Sequence, residues 1–157
     1  MNKTQDNAAI ISDGEVEFVT FYVGELLLGA DIRNVEEINR HVQVTPVANA
    51  PEWVRGVVNL RGEVVTVLDL RQILGLGRTT TGGNTRNVVV NADGERVGLL
   101  VDRIADVVKT QWSDTKPLPA NLTAAHERFF RGVVELEREL LAILDTAEVL
   151  AGMCETA

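Results

Sequence analysis

Residues 55–74 read RGVVNLRGEVVTVLDLRQIL, and residues 131–150 read RGVVELERELLAILDTAEVL. Laid over one another without a gap, nine of the twenty positions are identical: Arg55/Arg131, Gly56/Gly132, Val57/Val133, Val58/Val134, Leu60/Leu136, Glu63/Glu139, Leu68/Leu144, Asp69/Asp145 and Leu74/Leu150. Most of the others exchange one aliphatic residue for another, as Val67 does for Ile143. An internal repeat sets the architecture before any local reading does. The spacing is 76 residues. That is too long for a solenoid unit and fits a duplicated small β domain.

The repeat extends upstream. Gly98, Ile104, Asp106 and Val107 echo Gly29, Val35, Glu37 and Ile38 at an offset of 69. The residues that raise the offset to 76 fall in the Pro-containing stretch 116–130. Around Phe18–Val23 the apolar side chains alternate with period two, which predicts a strand. Gly24–Glu25 is a two-residue hairpin loop, and Leu26–Ala30 returns. Ile32, Val35 and Ile38 are spaced for a short helical turn leading into a strand. Asn49 is expected to cap one helical turn holding Pro51, Trp53 and Val54. Val57–Leu60 and Val64–Leu68 are two strands joined around Arg61–Gly62. Asp69 is a candidate helix cap with Gln72 three residues on and Gly75 as a stop, and Asp145, Glu148 and Gly152 take the same roles in the second copy. Asn87–Asn91 and Arg96–Val101 are strands around an Asp93–Gly94 type I′ turn. The Gly- and Thr-rich stretch 74–86 shows no apolar periodicity and is expected to be a linker or edge loop.

The expected fold is therefore all-β. Two small five-stranded β-barrels, related by duplication and carrying short helices, pack side by side in one domain. Lobes of roughly 15–75 and 86–150 are expected, with strand exchange between them left open. Residues 1–14 form a polar, flexible arm and 151–157 a tail. Trp53 is expected to plug the core.

Composition narrows the function. Asp and Glu outnumber Lys and Arg by 23 to 15, for a net charge of −8. This argues against a nucleic-acid or anionic-membrane surface. Cys154 is the only cysteine, so no disulfide forms within the chain, and His41 and His126 stand far apart. No clustered Cys/His metal site is expected, and no cofactor. No stretch has signal-peptide form or approaches the ~20 apolar residues of a membrane span, so the expected compartment is the cytoplasm. No catalytic motif is present: no G-x-S-x-G, no Walker-type loop, no H-E-x-x-H. Acidic pairs such as Glu36–Glu37 read as a solvated face, which leaves a β-barrel hydrolase without a supporting motif.

The contrast between the copies is more informative than their agreement. The first hairpin tip is Asn59-Leu60-Arg61-Gly62, and the second is Glu135-Leu136-Glu137-Arg138. Arg61 offers a planar charged fork on a turn that Gly62 tightens. With Val57, Leu60 and Val65 on the same hairpin, this is the composition of a protein-binding hot spot.

At these residues the chain resembles the CheW family of chemotaxis coupling proteins. The resemblance runs from about Val16 to Leu150. It is carried by GADIRNVEEI (29–38), APEWVRGVVNLRGEVVTVLDLR (50–71), ERVGLLVDRIADVV (95–108) and FFRGVVELERELLAILD (129–145). It implies two SH3-like barrels and a non-enzymatic adaptor. Such an adaptor joins the cytoplasmic tips of methyl-accepting chemoreceptors to the regulatory domain of a CheA-type histidine kinase, in ring-like arrays at the membrane without inserting into it. A CheW-like adaptor of another motility pathway, such as a pilus-based one, is the nearest alternative. By motif the resemblance points to Val35, Glu37, Gly56 and Arg61. With their neighbours Ile38, Val57, Leu60 and Gly62 these make the expected kinase- and receptor-binding set. The charged second hairpin departs from the family pattern.

Overall fold

Along Glu15–Val23 (β1), Val16 and Phe18 face one way while Val19, Phe21 and Val23 face the other, and all five are buried. A strand buried on both faces needs two cores, one on each side. Val16 and Phe18 pack with Leu27, Val134, Leu141 and Ile143. Val19, Phe21 and Val23 join a larger cluster that also takes in Leu68, Leu70, Val88, Val90, Leu99 and Val101. A third cluster, Val58, Val65, Val67 and Leu100, mirrors the first. Two barrel interiors thus flank a shared core between them.

The computed structural model describes residues 14–40, 43–119 and 124–155. Apart from Gly14, the expected arm at 1–14 lies outside the described residues, as do His41 and the side chains of His126 and Cys154. After β1 come β2 (Leu26–Asp31), a 3₁₀ turn (Ile32–Asn34), β3 (Val35–Arg40), β4 (Val54–Leu60), β5 (Glu63–Asp69) and α1 (Leu70–Ile73). The second half follows with β6 (Arg86–Ala92), β7 (Glu95–Val101), β8 (Arg103–Gln111), β9 (Phe130–Glu135), β10 (Leu140–Leu144) and α2 (Thr146–Glu155). Turn chemistry sets the hairpins. Arg61–Gly62 and Asp93–Gly94 have φ of 56° and 84° and of 54° and 84°, the positive pair a type I′ turn demands. Gly24, with φ 62°, opens the β1–β2 loop.

Pairing gives two five-stranded sheets, β8-β1-β2-β10-β9 (barrel I) and β3-β6-β7-β5-β4 (barrel II). Replacing each strand by its repeat partner, β1 by β6 through β5 by β10, turns one order into the other. The parallel contacts obey the same rule: Gly29 faces Ile143 in one barrel, and Gly98 faces Val67 in the other. The lobes are therefore not the contiguous 15–75 and 86–150 of the sequence reading. Each barrel takes two strands from one copy and three from the other, because β3 leaves β2 to pair with β6 and β8 leaves β7 to pair with β1. Each sheet is closed by one reciprocal bridge, Thr45 with Val57 and Lys116 with Val133, with N–O distances of 2.8–2.9 Å.

Three local expectations change. Pro51–Val54 forms a hydrogen-bonded turn, Val54 N to Pro51 O at 3.0 Å, rather than a capped helical turn. Strand pairing of Val54 with Leu68 takes over at once. Gly75 follows α1 with φ 73°, as a stop should. Gly152 is no stop: α2 runs on to Glu155, so 151–155 is helix rather than tail, and a Cβ at Gly152 would lie 3.0 Å from the Phe129 ring. The glycine there is a packing choice.

Candidate functional site

β3 carries a bulge between Val35, which faces Val90, and Glu37, which faces Val89. Consecutive strand residues normally point to opposite faces, and a bulge re-aims them. Here Glu36 and Glu37 both reach Arg96 on β7. Arg96 Nε lies 2.6 Å from Glu36 Oε1, and its Nη2 lies 3.7 Å from Glu37 Oε2. Arg96 Nη1 also pairs with Glu63 at the start of β5. Asn91 Nδ2 donates to the second oxygen of Glu36 at 2.8 Å. That hydrogen bond, with Arg96 behind it, holds the Glu36 carboxyl below its usual pKa.

Arg61 completes the cluster from the β4–β5 tip. Its Nη2 lies 3.4 Å from Glu37 Oε1, while its side chain remains 81% exposed. Asn59 Oδ1 accepts the Gly62 N–H at 2.9 Å and ties the tip across its own turn. Surface ion pairs of this kind add about 0–1 kcal/mol each to stability. Their effect is to hold a guanidinium face toward solvent in one place. Next along the chain from two of these carboxylates are exposed apolar side chains, Ile38 after Glu37 at 41% and Val64 after Glu63 at 67%. Arg and exposed aliphatic side chains together are a composition enriched at protein interfaces.

The eight residues singled out from sequence divide. Glu37 and Arg61 meet directly, Ile38 is exposed beside them, and Gly62 makes the turn. Val35 is half-buried against the shared core, and Leu60 packs on the interior cluster of barrel II. Val57 forms the closing bridge with Thr45. Gly56 is buried with φ 144°, and a Cβ there would overlap the Thr45 carbonyl. Its repeat partner Gly132 has φ 155°, and a Cβ there would lie 2.7 Å from Lys116 O. Both glycines serve barrel closure. Arg96, Glu36, Glu63 and Val64 were missed. The signal available for Val64 was its place beside Val65, two apolar residues in succession on a strand with only one interior face.

Barrel I presents the same apolar pair without the same charges. Val107 and Leu140, the repeat partners of Ile38 and Val64, are 54% and 45% exposed. Glu137 replaces Arg61, and Leu27 occupies the place of Arg96. Tyr22 Oη instead donates to Glu139 at 2.7 Å, with the Arg103 guanidinium 3.9 Å above its ring. Among the described residues, groups of three or more His, Cys, Asp or Glu placed to hold a metal ion are absent. No described helix is long and apolar enough to cross a membrane.

The comparisons with known proteins agree with this architecture. Residues 17–153 match the model of the CheW-like domain family. A chemotaxis protein CheW of Treponema pallidum is 31% identical over 139 residues, covering 86% of this chain and 82% of its own length. One from Klebsiella aerogenes is 32% identical over 135 residues, covering 86% and 81%. The crystal structure of the scaffolding protein TtCheW from Thermoanaerobacter tengcongensis superposes with a TM-score of 0.75 at 27% identity. It covers 83% of this chain and 88% of that one.

Proposed function

The chain belongs to the CheW-like domain family, and on that premise we propose that the barrel II cluster is the surface through which it acts. The protein is a non-enzymatic adaptor of chemotaxis signalling. Its proposed partners are the regulatory domain of a CheA-type histidine kinase and the cytoplasmic tips of methyl-accepting chemoreceptors, met in the cytoplasm at the receptor array. An adaptor that holds both at once lets receptor state bias the kinase through shared interfaces. That is a coupling free energy, typically ~1–3 kcal/mol, with no chemical step of its own.

The observation that carries the site is the asymmetry of two otherwise equivalent barrels. Both expose aliphatic side chains at the same two repeat positions, and only barrel II carries an Arg held by glutamate at its β4–β5 tip. Arg61→Glu tests this. The substitution places a carboxylate against Glu37 and should reduce capture of the kinase regulatory domain or the receptor tip about tenfold or more, as loss of a central interface Arg does. The circular-dichroism spectrum should not change, because the side chain is 81% exposed. Unchanged capture of both partners by the folded variant removes the site assignment.

A further inference from the structure

The two barrel interiors differ most on β6. Asn87 is 1% exposed. Its neighbour Val88, and Val90 beyond, belong to the shared core, so Asn87 points the other way, into barrel II. Opposite it on β7 is Leu100, part of the barrel II interior. A Cβ at Gly98 would overlap Asn87 Oδ1, so the glycine leaves the space in which the amide lies. Phe18, the repeat partner of Asn87, fills the same place in barrel I within the cluster of Leu27, Leu141 and Ile143. An amide thus stands where its twin has a phenyl ring.

On β3 the residue opposite Asn87 is Asn39. On β8 the residue opposite Phe18 is Val108, the repeat partner of Asn39, and it packs on the same cluster as Phe18. Trp112 adds an edge-to-face contact to the Phe18 ring, with centroids 5.9 Å apart. Across one exchanged contact amide faces amide, and across the other apolar faces apolar. Directly opposed side chains have Cβ atoms about 4.5–5.5 Å apart, within the span of one amide–amide hydrogen bond. Asn39 Nδ2 and Asn87 Oδ1 are shielded from solvent and committed to no other group among the described residues. A rotation of the Asn39 side chain joins this donor to this acceptor.

If each copy closed on itself, β3 would pair with β1 and β8 with β6. Asn39 would then lie against Phe18, and Asn87 against Val108. Each amide would face hydrocarbon, and a buried polar group without a partner is strongly unfavourable. We propose that the Asn39–Asn87 and Phe18–Val108 pairs select the exchanged pairing of β3 with β6 and of β8 with β1, and so position the charged cluster of barrel II. Buried polar residues fix register and partner in this way in coiled coils, at a cost in stability. Glu36 and Glu37, on the same strand as Asn39, meet Arg96 and Asn91 of the second copy because β3 lies beside β6. In a self-closed copy Leu27 and Tyr22 would take the places of Arg96 and Asn91. Asn39 and Asn87 are therefore positioning residues for that cluster. The choice of pairing does not rest on which partners the cluster meets.

Disulfide trapping in the full chain tests this, with Cys154→Ser so that only introduced thiols react. Glu17 lies opposite Lys109, and their side chains are 42% and 59% exposed. Arg40 is the repeat partner of Lys109 and would lie opposite Glu17 if β3 paired with β1. Each chain is refolded from urea under reducing conditions and then oxidised. With the native pairs, Glu17→Cys/Lys109→Cys should cross-link within one chain, and Glu17→Cys/Arg40→Cys should not. Adding Asn39→Val and Val108→Asn keeps the composition but opposes amide to hydrocarbon at both exchanged contacts, while self-closure opposes like to like. The yield at 17–40 relative to 17–109 should then rise at least about tenfold. Asn39→Val with Asn87→Val, which leaves both contacts apolar, should raise the same ratio by less. A 17–40 product with the native pairs overturns the proposal. So does the native cross-linking pattern in a folded chain carrying Asn39→Val and Val108→Asn. Should that chain not fold, the native pattern in a folded chain carrying Asn39→Val and Asn87→Val overturns it.

Discussion

Gly56 and Arg61 lie five residues apart on one hairpin and do different work. A side chain at Gly56 would take φ 144° into a non-glycine residue and press its Cβ into the Thr45 carbonyl. The dihedral strain alone is about 1–3 kcal/mol, and the overlap with backbone adds to it. Gly56→Ala should therefore lower the urea midpoint by more than about 2 kcal/mol of stability, and by more than Gly132→Ala, whose Cβ has 2.7 Å to Lys116 O. If Gly56→Ala keeps wild-type stability and loses only partner capture, the residue is a contact and not a closure device. Arg61→Ala should do the reverse, changing stability by under about 1 kcal/mol while weakening capture. Val57, Leu60, Gly56 and Arg61 were all legible in the repeated segment because they are local to it. Arg96 was not. Its partners Glu36 and Glu63 come from two other strands, and no spacing within one strand announces a three-carboxylate clamp.

At the scale of elements, the stretch 74–86 changed most in meaning. Its composition reads as a loop without periodicity, and a threonine that spends its hydroxyl on a buried carboxylate looks like any other threonine. Thr79 is 2% exposed, and both its N–H and its Oγ1 go to Asp69. A hydrogen bond to a charged group is worth about 1.5–3 kcal/mol, and a buried acceptor left short costs its desolvation. Thr79→Val should cost about 1.5–3 kcal/mol by urea denaturation, and Thr80→Val, at an exposed neighbour, should cost under about 0.5 kcal/mol. Equal small losses at both positions would mean the linker is not clamped. The caps, by contrast, were readable. Asp69 accepts Arg71 N at 3.1 Å and Gln72 N at 3.4 Å, as the sequence pattern before Gln72 and Gly75 required. The hairpin tips were readable for the same reason, since Asp-Gly and Arg-Gly supply the positive φ the turn needs. Trp53 packs on the shared core, as its aromatic bulk between two strands indicated.

At the scale of the molecule, duplication was visible and exchange was not, because a repeat aligns identically whether its strands pair within a copy or across copies. The structure chooses the second. The two connections that carry strands across are short: three residues, Ile32–Asn34, after β2, and one, Asp102, after β7. Each is fastened. Asp31 Oδ1 accepts Arg33 N at 2.9 Å, and Asp102 Oδ2 accepts Gly24 N at 2.6 Å and Arg71 Nη1 at 3.0 Å. Neither copy then owns a complete sheet. The first contributes β1 and β2 to one barrel and β3, β4 and β5 to the other, so four of its five strands have an edge satisfied only by the second copy. Cutting the chain between Gly82 and Gly83, beyond the Thr79 clamp, should leave a complex that elutes as one species of unchanged size. It should melt in one transition whose midpoint falls on dilution, since association is now part of folding. The separated fragments should show no cooperative transition, because an isolated half exposes unpaired edges and only part of each core. Two fragments that elute apart, each with its own β-sheet spectrum and its own melt, would show that each copy can close a barrel on itself, and that the exchange is a preference of the intact chain and not a requirement of the fold.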